Sequence, residues 1–169
     1  MKLISLLLLF SLSSAFGGEI LDQFPKHPKS HQLLSPSSPT RTTDYGIKQI
    51  GIERTGCFGT CPSFTFIVKS DGTFRYEGEA FVQRRGSWHG TVDTGKLNEV
   101  LRYISEMEYF ALDEEYEASI TDMPSAYTLV VTRHRKKIIH DYGGLAPAKL
   151  VALENMIDQL QSTAQWKRH

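Results

Sequence analysis

The stretch SFTFIVKSDGTFRYEGEAFV, residues 63–82, constrains the fold of this chain more than any other. Phe64, Phe66 and Val68 recur at every second residue, as do Phe74 and Tyr76, so each run puts its bulky side chains on one face of a strand. Asp71-Gly72 between them supplies the positive backbone dihedrals of a tight turn. Strands joined so closely must pair antiparallel, because a parallel crossover takes a dozen or more residues. IKQIGIER (47–54) alternates in the same way and predicts a strand before this hairpin, and GSWHGTV (86–92) predicts one after it. SAYTLVVTRHRKKIIHDYG (125–143) reads as a second hairpin with Arg133 to Lys137 as a basic tip and Gly143-Gly144 as its end.

Two segments change period. From Thr94 to about Phe110, the residues Leu97, Val100, Leu101, Ile104 and Met107 fall three and four apart, one apolar stripe of a helix. Asp93 or Thr94 can cap its start. Pro147 suits the first turn of a last helix, whose stripe is Leu150, Leu153, Met156, Ile157 and Leu160. The expectation is an α+β fold: an antiparallel sheet built from hairpins, with both helices packed on one face. The 169 residues allow one such domain, expected over 47–166.

The N-terminal part reads differently. In MKLISLLLLFSLSSAFGGE one lysine precedes an apolar run from Leu3 to Leu12 and then small residues, the layout of a secretory signal peptide over 1–17. The run is too short to span a bilayer, so no transmembrane span is expected once it is cleaved. Residues 18–46 hold Pro25, Pro28, Pro36 and Pro39 among Ser, Thr, Lys and His, and read as a flexible linker. A periplasmic or extracellular protein is expected, its cysteines in an oxidising compartment. The formal net charge of +0 gives no reason to expect nucleic acid or an anionic membrane surface as partner. The partner is left unknown by the sequence, with another envelope protein as one candidate, and no cofactor is expected.

Both cysteines of the chain lie in RTGCFGTCP, residues 54–62. One reading is a disulfide across a tight loop, with Gly56 and Gly59 easing the backbone. Closing about five residues contributes roughly 2 kcal/mol by loop entropy. A second reading is redox: a thiol near Arg54 has a depressed pKa. Exported thioredoxin-like copper handlers carry a similar C-x-x-x-C-P, but there it opens a helix, whereas here a strand follows. Zinc needs four ligands, and His89, His134 and His140 do not lie at ligand spacing from the pair. Two thiolates alone suffice for copper(I), so Cys57 and Cys61 remain a copper candidate. A cysteine hydrolase would need a free thiol and a base, drawn for instance with His140 and Asp122.

Other features read more plainly. Asp113, Glu114, Glu115, Glu117 and Asp122 lack the spacing and glycine of a calcium loop, so a solvated acidic loop is expected. Asp122 suits a turn or cap, or a partner for Arg54. The basic cluster of Arg84 and Arg85 with Arg133, Arg135, Lys136 and Lys137 keeps strand ends soluble, and would bind an anion if the two tips met. Trp88 and Trp166 read as packing residues.

With these residues laid out, the chain resembles a bacterial family of exported domains of unknown function, marked by E-R-x-x-C-F-G-x-C-P and an aromatic strand. The matching residues are Glu53, Arg54, Cys57, Phe58, Gly59, Cys61 and Pro62. Asp71-Gly72, Tyr76, Gly78, Phe110, Thr121-Asp122, Pro124, Tyr142, Ala146-Pro147, Leu153-Glu154 and Trp166 are also similar to its pattern. Ser63-Phe64 departs from it, since the family commonly has valine and tyrosine there. The resemblance implies a small α+β domain with no established catalytic residues. Together these readings lead to a non-enzymatic binding module with a structural Cys57–Cys61 disulfide, against a thiol-redox or copper(I) module using the same cysteines.

Overall fold

The chain runs β1 (Ile47–Arg54), β2 (Ser63–Lys69), β3 (Thr73–Ala80), β4 (Gly86–Thr91), α1 (Thr94–Glu106), β5 (Glu115–Glu117), β6 (Ser125–Thr132), β7 (Lys136–Tyr142), α2 (Ala148–Leu160) and β8 (Gln165–Arg168). This is a computed structural model, and it describes residues 45–168. The expected signal peptide, and all but the last two residues of the expected linker, lie outside the described residues.

The strands form one sheet in the order β5-β7-β6-β1-β2-β3-β4-β8. Its centre is the predicted hairpin region: β2 pairs β3 antiparallel with Phe66 opposite Tyr76 and Val68 opposite Phe74. Sequence alternation did not reveal two edge strands. β5 lies inside the acidic segment read as a solvated loop, and it pairs parallel to β7. β8 closes the other edge against β4, with Trp166 opposite Gly90. A three-residue strand and a four-residue strand at the chain's end carry too little periodicity to announce themselves.

Both helices contribute to one core with the same face of the sheet. Leu97, Val100, Leu101, Ile104 and Met107 from the α1 side join Leu150, Leu153, Ile157 and Leu160 of α2 over Ile50, Ile52, Phe64, Phe66, Val68, Phe74 and Tyr76. Each such side chain removed from water stabilises the fold by about 1.5–3 kcal/mol. The start of α1 is capped as expected, Lys96 N–H donating to Asp93 Oδ1 at 2.8 Å. The helix ends at Glu106, short of Phe110, because Glu108 takes a left-handed backbone with φ 56°. A single 3-10 turn, Tyr109–Ala111, follows, and the Tyr109 hydroxyl donates to the Thr128 carbonyl at 2.5 Å. Pro147 stands just before the first turn of α2, its carbonyl accepting from Leu150 and Val151.

On the opposite face, Gly51 sits between Ile67 and Leu129 in register, and these two form a second, smaller apolar cluster. Among the described residues, no helix is long and apolar enough to cross a membrane.

Candidate functional site

The pairing registers bring four loops to one end of the sheet. Arg54 lies opposite Phe64 and Ala126, Ser63 opposite Ala80, Gly78 opposite Gly86, and Ser125 opposite Tyr142. The loops β1–β2, β3–β4, β5–β6 and β7–α2 therefore share this end, and the cysteine motif is the first of them.

Cys57 and Cys61 are a bonded pair, with S–S 1.93 Å and Cα–Cα 5.6 Å. A turn lies inside the ring, Gly59 N–H donating to the Cys57 carbonyl at 2.8 Å. Neither Gly56 nor Gly59 takes a left-handed backbone, and a Cβ at either would meet no clash. The expected need for glycine there is not borne out by the geometry. The loop is tied to its neighbour by Thr55 N–H to the Ser125 carbonyl, Ser125 N–H to Thr55 Oγ1, and Phe58 N–H to the Asp122 carbonyl. Asp122 has φ 65°, which an aspartate tolerates better than most residues.

Consecutive strand residues point to opposite faces, and this divides the motif. Arg54 points to the helix side, where it donates to Asp158 at 2.8 Å and 3.2 Å and to Glu154 at 3.1 Å. The expected pairing with Asp122 is thus replaced by one with α2, because Arg54 shares the core-facing side of β1 with Ile50 and Ile52. Burial pushes Glu154 up to about 7 despite Arg54, and raises Asp158 as well. The sequence names Glu154 only through the family resemblance, since it lies in the apolar stripe of α2; its position four residues before Asp158 is the signal available for a shared cationic partner. Glu53 points to the other face, where burial, and then Glu79, push it up to about 7.

Beside the loop, Pro62 helps line a cleft of about 520 Å³ with Phe64, Tyr76, Phe81, Arg84, Asp158 and Trp166. Tyr76 and Trp166 meet edge to face at 5.2 Å, Phe64 stacks on Tyr76 at 5.6 Å, and the Arg84 guanidinium lies 4.3 Å over the Trp166 ring. The alternation of β2 and β3 forecast this aromatic row, whereas Trp166 enters it only through β8. Phe81 has φ 53°, a left-handed conformation that costs a non-glycine residue roughly 1–2 kcal/mol, and stands 56% exposed at the cleft.

Among the described residues, the exposed large apolar side chains other than Tyr45 gather at this end. Phe58 is 93% exposed, and Ile120 and Leu145 are each 59% exposed. Phe58, Phe81, Ile120 and Leu145 occupy the four loops, one each.

Other candidates are not brought together. Arg84 and Arg85 lie in the β3–β4 loop at the disulfide end, whereas Arg133 to Arg135 turn at the opposite end, between Thr132 and β7, which starts with Lys136 and Lys137. The single anion site that would need both tips is therefore absent. Arg135 lies 4.1 Å over Phe110, and Lys137 Nζ donates to the carbonyls of Phe110 and Leu112. His140, drawn above with a cysteine and Asp122, has its Nε2 at 2.9 Å from Ser125 Oγ instead. The sulfurs, bonded to each other, offer no thiolate to a metal or an acyl group.

A family model described as a domain of unknown function (DUF6438) matches residues 48–161. No curated protein matches the chain.

Proposed function

The chain belongs to the DUF6438 family of domains of unknown function, and we propose for it an exported, non-enzymatic binding domain that holds another envelope protein with the disulfide end of its sheet. The observation that carries this reading is Phe58. It stands 93% exposed at the tip of a loop closed by a disulfide. Single exposed apolar residues are ordinary, but four on loops at one end of the sheet favour an interaction surface there. A loop ordered before contact loses less conformational entropy on binding, which favours affinity. The adjoining aromatic cleft supplies a concave pocket for a partner's side chain, with Arg84 and Asp158 as polar guides. The signal-like N-terminus and the disulfide both support export.

Site-specific photocrosslinking tests the reading in the cells that make the protein. With p-benzoylphenylalanine at position 58 or 81 of the full chain, the expected result is one shared adduct in the envelope fraction. The same probe at position 70, in the β2–β3 turn at the far end, should give none. No adduct from 58 and 81, or the same adducts from 70, rejects the proposal.

Thiol exchange or copper(I) handling is the second reading, favoured by the half-exposed position of both cysteines on a surface loop. A reduction potential below about −300 mV would mark the bond as structural. Stoichiometric copper(I) retention by the reduced protein would favour the second reading instead.

A further inference from the structure

On the face of the sheet away from the helices, β5 and β7 bring three metal-capable side chains together. The parallel register sets Glu115 opposite His140 and Glu117 opposite Tyr142. Glu115 and Glu117, two residues apart, project to the same side of their strand. One ligand atom from each of Glu115, Glu117 and His140 lies within 4.8 Å of the others. We propose that Glu115, Glu117 and His140 form a binding site for a divalent cation of the zinc class, which clamps the edge strand β5 to β7.

The state of the histidine is the observation that separates this cluster from ordinary surface acids. The His140 side chain is only 12% exposed, and its Nδ1 is buried with no hydrogen-bond partner, 3.9 Å from Glu115 Oε1. That distance is too long for a hydrogen bond. A buried, unpartnered ring nitrogen is costly, and a cation between it and the carboxylates would satisfy it. The other ring nitrogen is engaged, with Nε2 at 2.9 Å from Ser125 Oγ. Donation from Nε2–H to that oxygen leaves the lone pair on Nδ1, as ligating histidines are ordinarily prepared by an outer partner. The Tyr127 ring lies parallel to the imidazole, 4.4 Å between centroids, and holds its plane. Two carboxylates and one imidazole suit zinc or a similar borderline ion better than calcium or magnesium, which prefer all-oxygen shells. Three protein ligands leave a fourth position for water or a partner's side chain.

A bound cation would also tether β5, which is only three residues long and leads into the loop that carries Ile120.

The test is a titration of the metal-stripped full chain with zinc chloride, followed by calorimetry, thermal melting and imidazole nitrogen NMR. One equivalent should bind, raise the melting temperature and move the His140 Nδ1 resonance. Glu117→Gln, an exposed change that leaves the fold intact, should weaken binding about tenfold or more, and Ser125→Ala by about tenfold. His140→Gln should abolish the one-equivalent step, but it also disturbs the Tyr127 stack, so the Glu117 variant decides. The same variant separates this site from His27, His31 and His169, which lie elsewhere in the chain. No zinc binding, binding unchanged in Glu117→Gln, or equal retention of magnesium and zinc overturns the proposal.

Discussion

At the scale of single residues, Arg54 and the cysteine pair set the local energetics. Among the described residues, Arg54 is the one hydrogen-bonding partner of both Glu154 and Asp158. Arg54→Ala would leave the buried Glu154 and the partly exposed Asp158 without their hydrogen-bonding partner, a situation that costs about 1–3 kcal/mol. Urea unfolding should show that loss, and Arg54→Lys should recover only part of it, since an ammonium cannot reproduce the fork that reaches Asp158 and Glu154 at once. Cys57→Ser with Cys61→Ser should cost about 2 kcal/mol by chain entropy, and reductant should produce the same shift in the wild type. If reductant leaves the urea midpoint unmoved, the disulfide does not support the fold. The sequence showed the cysteine pair directly. It did not show Arg54's partners, which lie 100 and 104 residues away and are set only by where α2 crosses β1.

At the scale of elements, β8 shows how close approach fixes an edge. A Cβ on Gly90 would stand 1.9 Å from the Gln165 carbonyl oxygen and 3.0 Å from the Phe74 ring. Gly90→Ala therefore forces β8 outward and takes Trp166 with it, at a cost of about 1–3 kcal/mol from overpacking. In a Trp88→Phe background, the fluorescence of the remaining Trp166 should shift to the red; an unshifted spectrum would mean that β8 tolerates the methyl. The hairpins and both helical stripes were legible because each has a period that its own residues display. β5 and β8 were not, since a short edge strand is defined by its neighbour's free hydrogen bonds rather than by its own pattern. The glycine at 90 is explained by a strand that arrives 75 residues later in the chain, as the close approach of the Gln165 carbonyl shows.

At the scale of the whole molecule, the sheet separates two environments and places a raised carboxyl in each. Glu53 on the open face and Glu154 under α2 are both pushed up to about 7, first by burial. Each keeps its proton in the folded state over a range where the unfolded chain, near 4.5, has released it. Stability from these groups is fully present below about pH 4.5 and is lost as pH rises through about 7. The urea midpoint at pH 5.5 should therefore exceed that at pH 7.5, and Glu53→Gln should flatten the difference. An equal or reversed order would show that neither group is raised. The sequence by itself determined the α+β class, the central hairpins, the two amphipathic helices and the cysteine loop, because periodicity, turn chemistry and cysteine spacing are local properties. Only the tertiary structure decided that Arg54 faces α2, that β5 joins β7 in parallel, that the basic tips lie at opposite ends, and that four apolar loop residues share one end with an aromatic cleft. Those outcomes depend on strand order and register, which are settled by contacts between segments far apart in the chain.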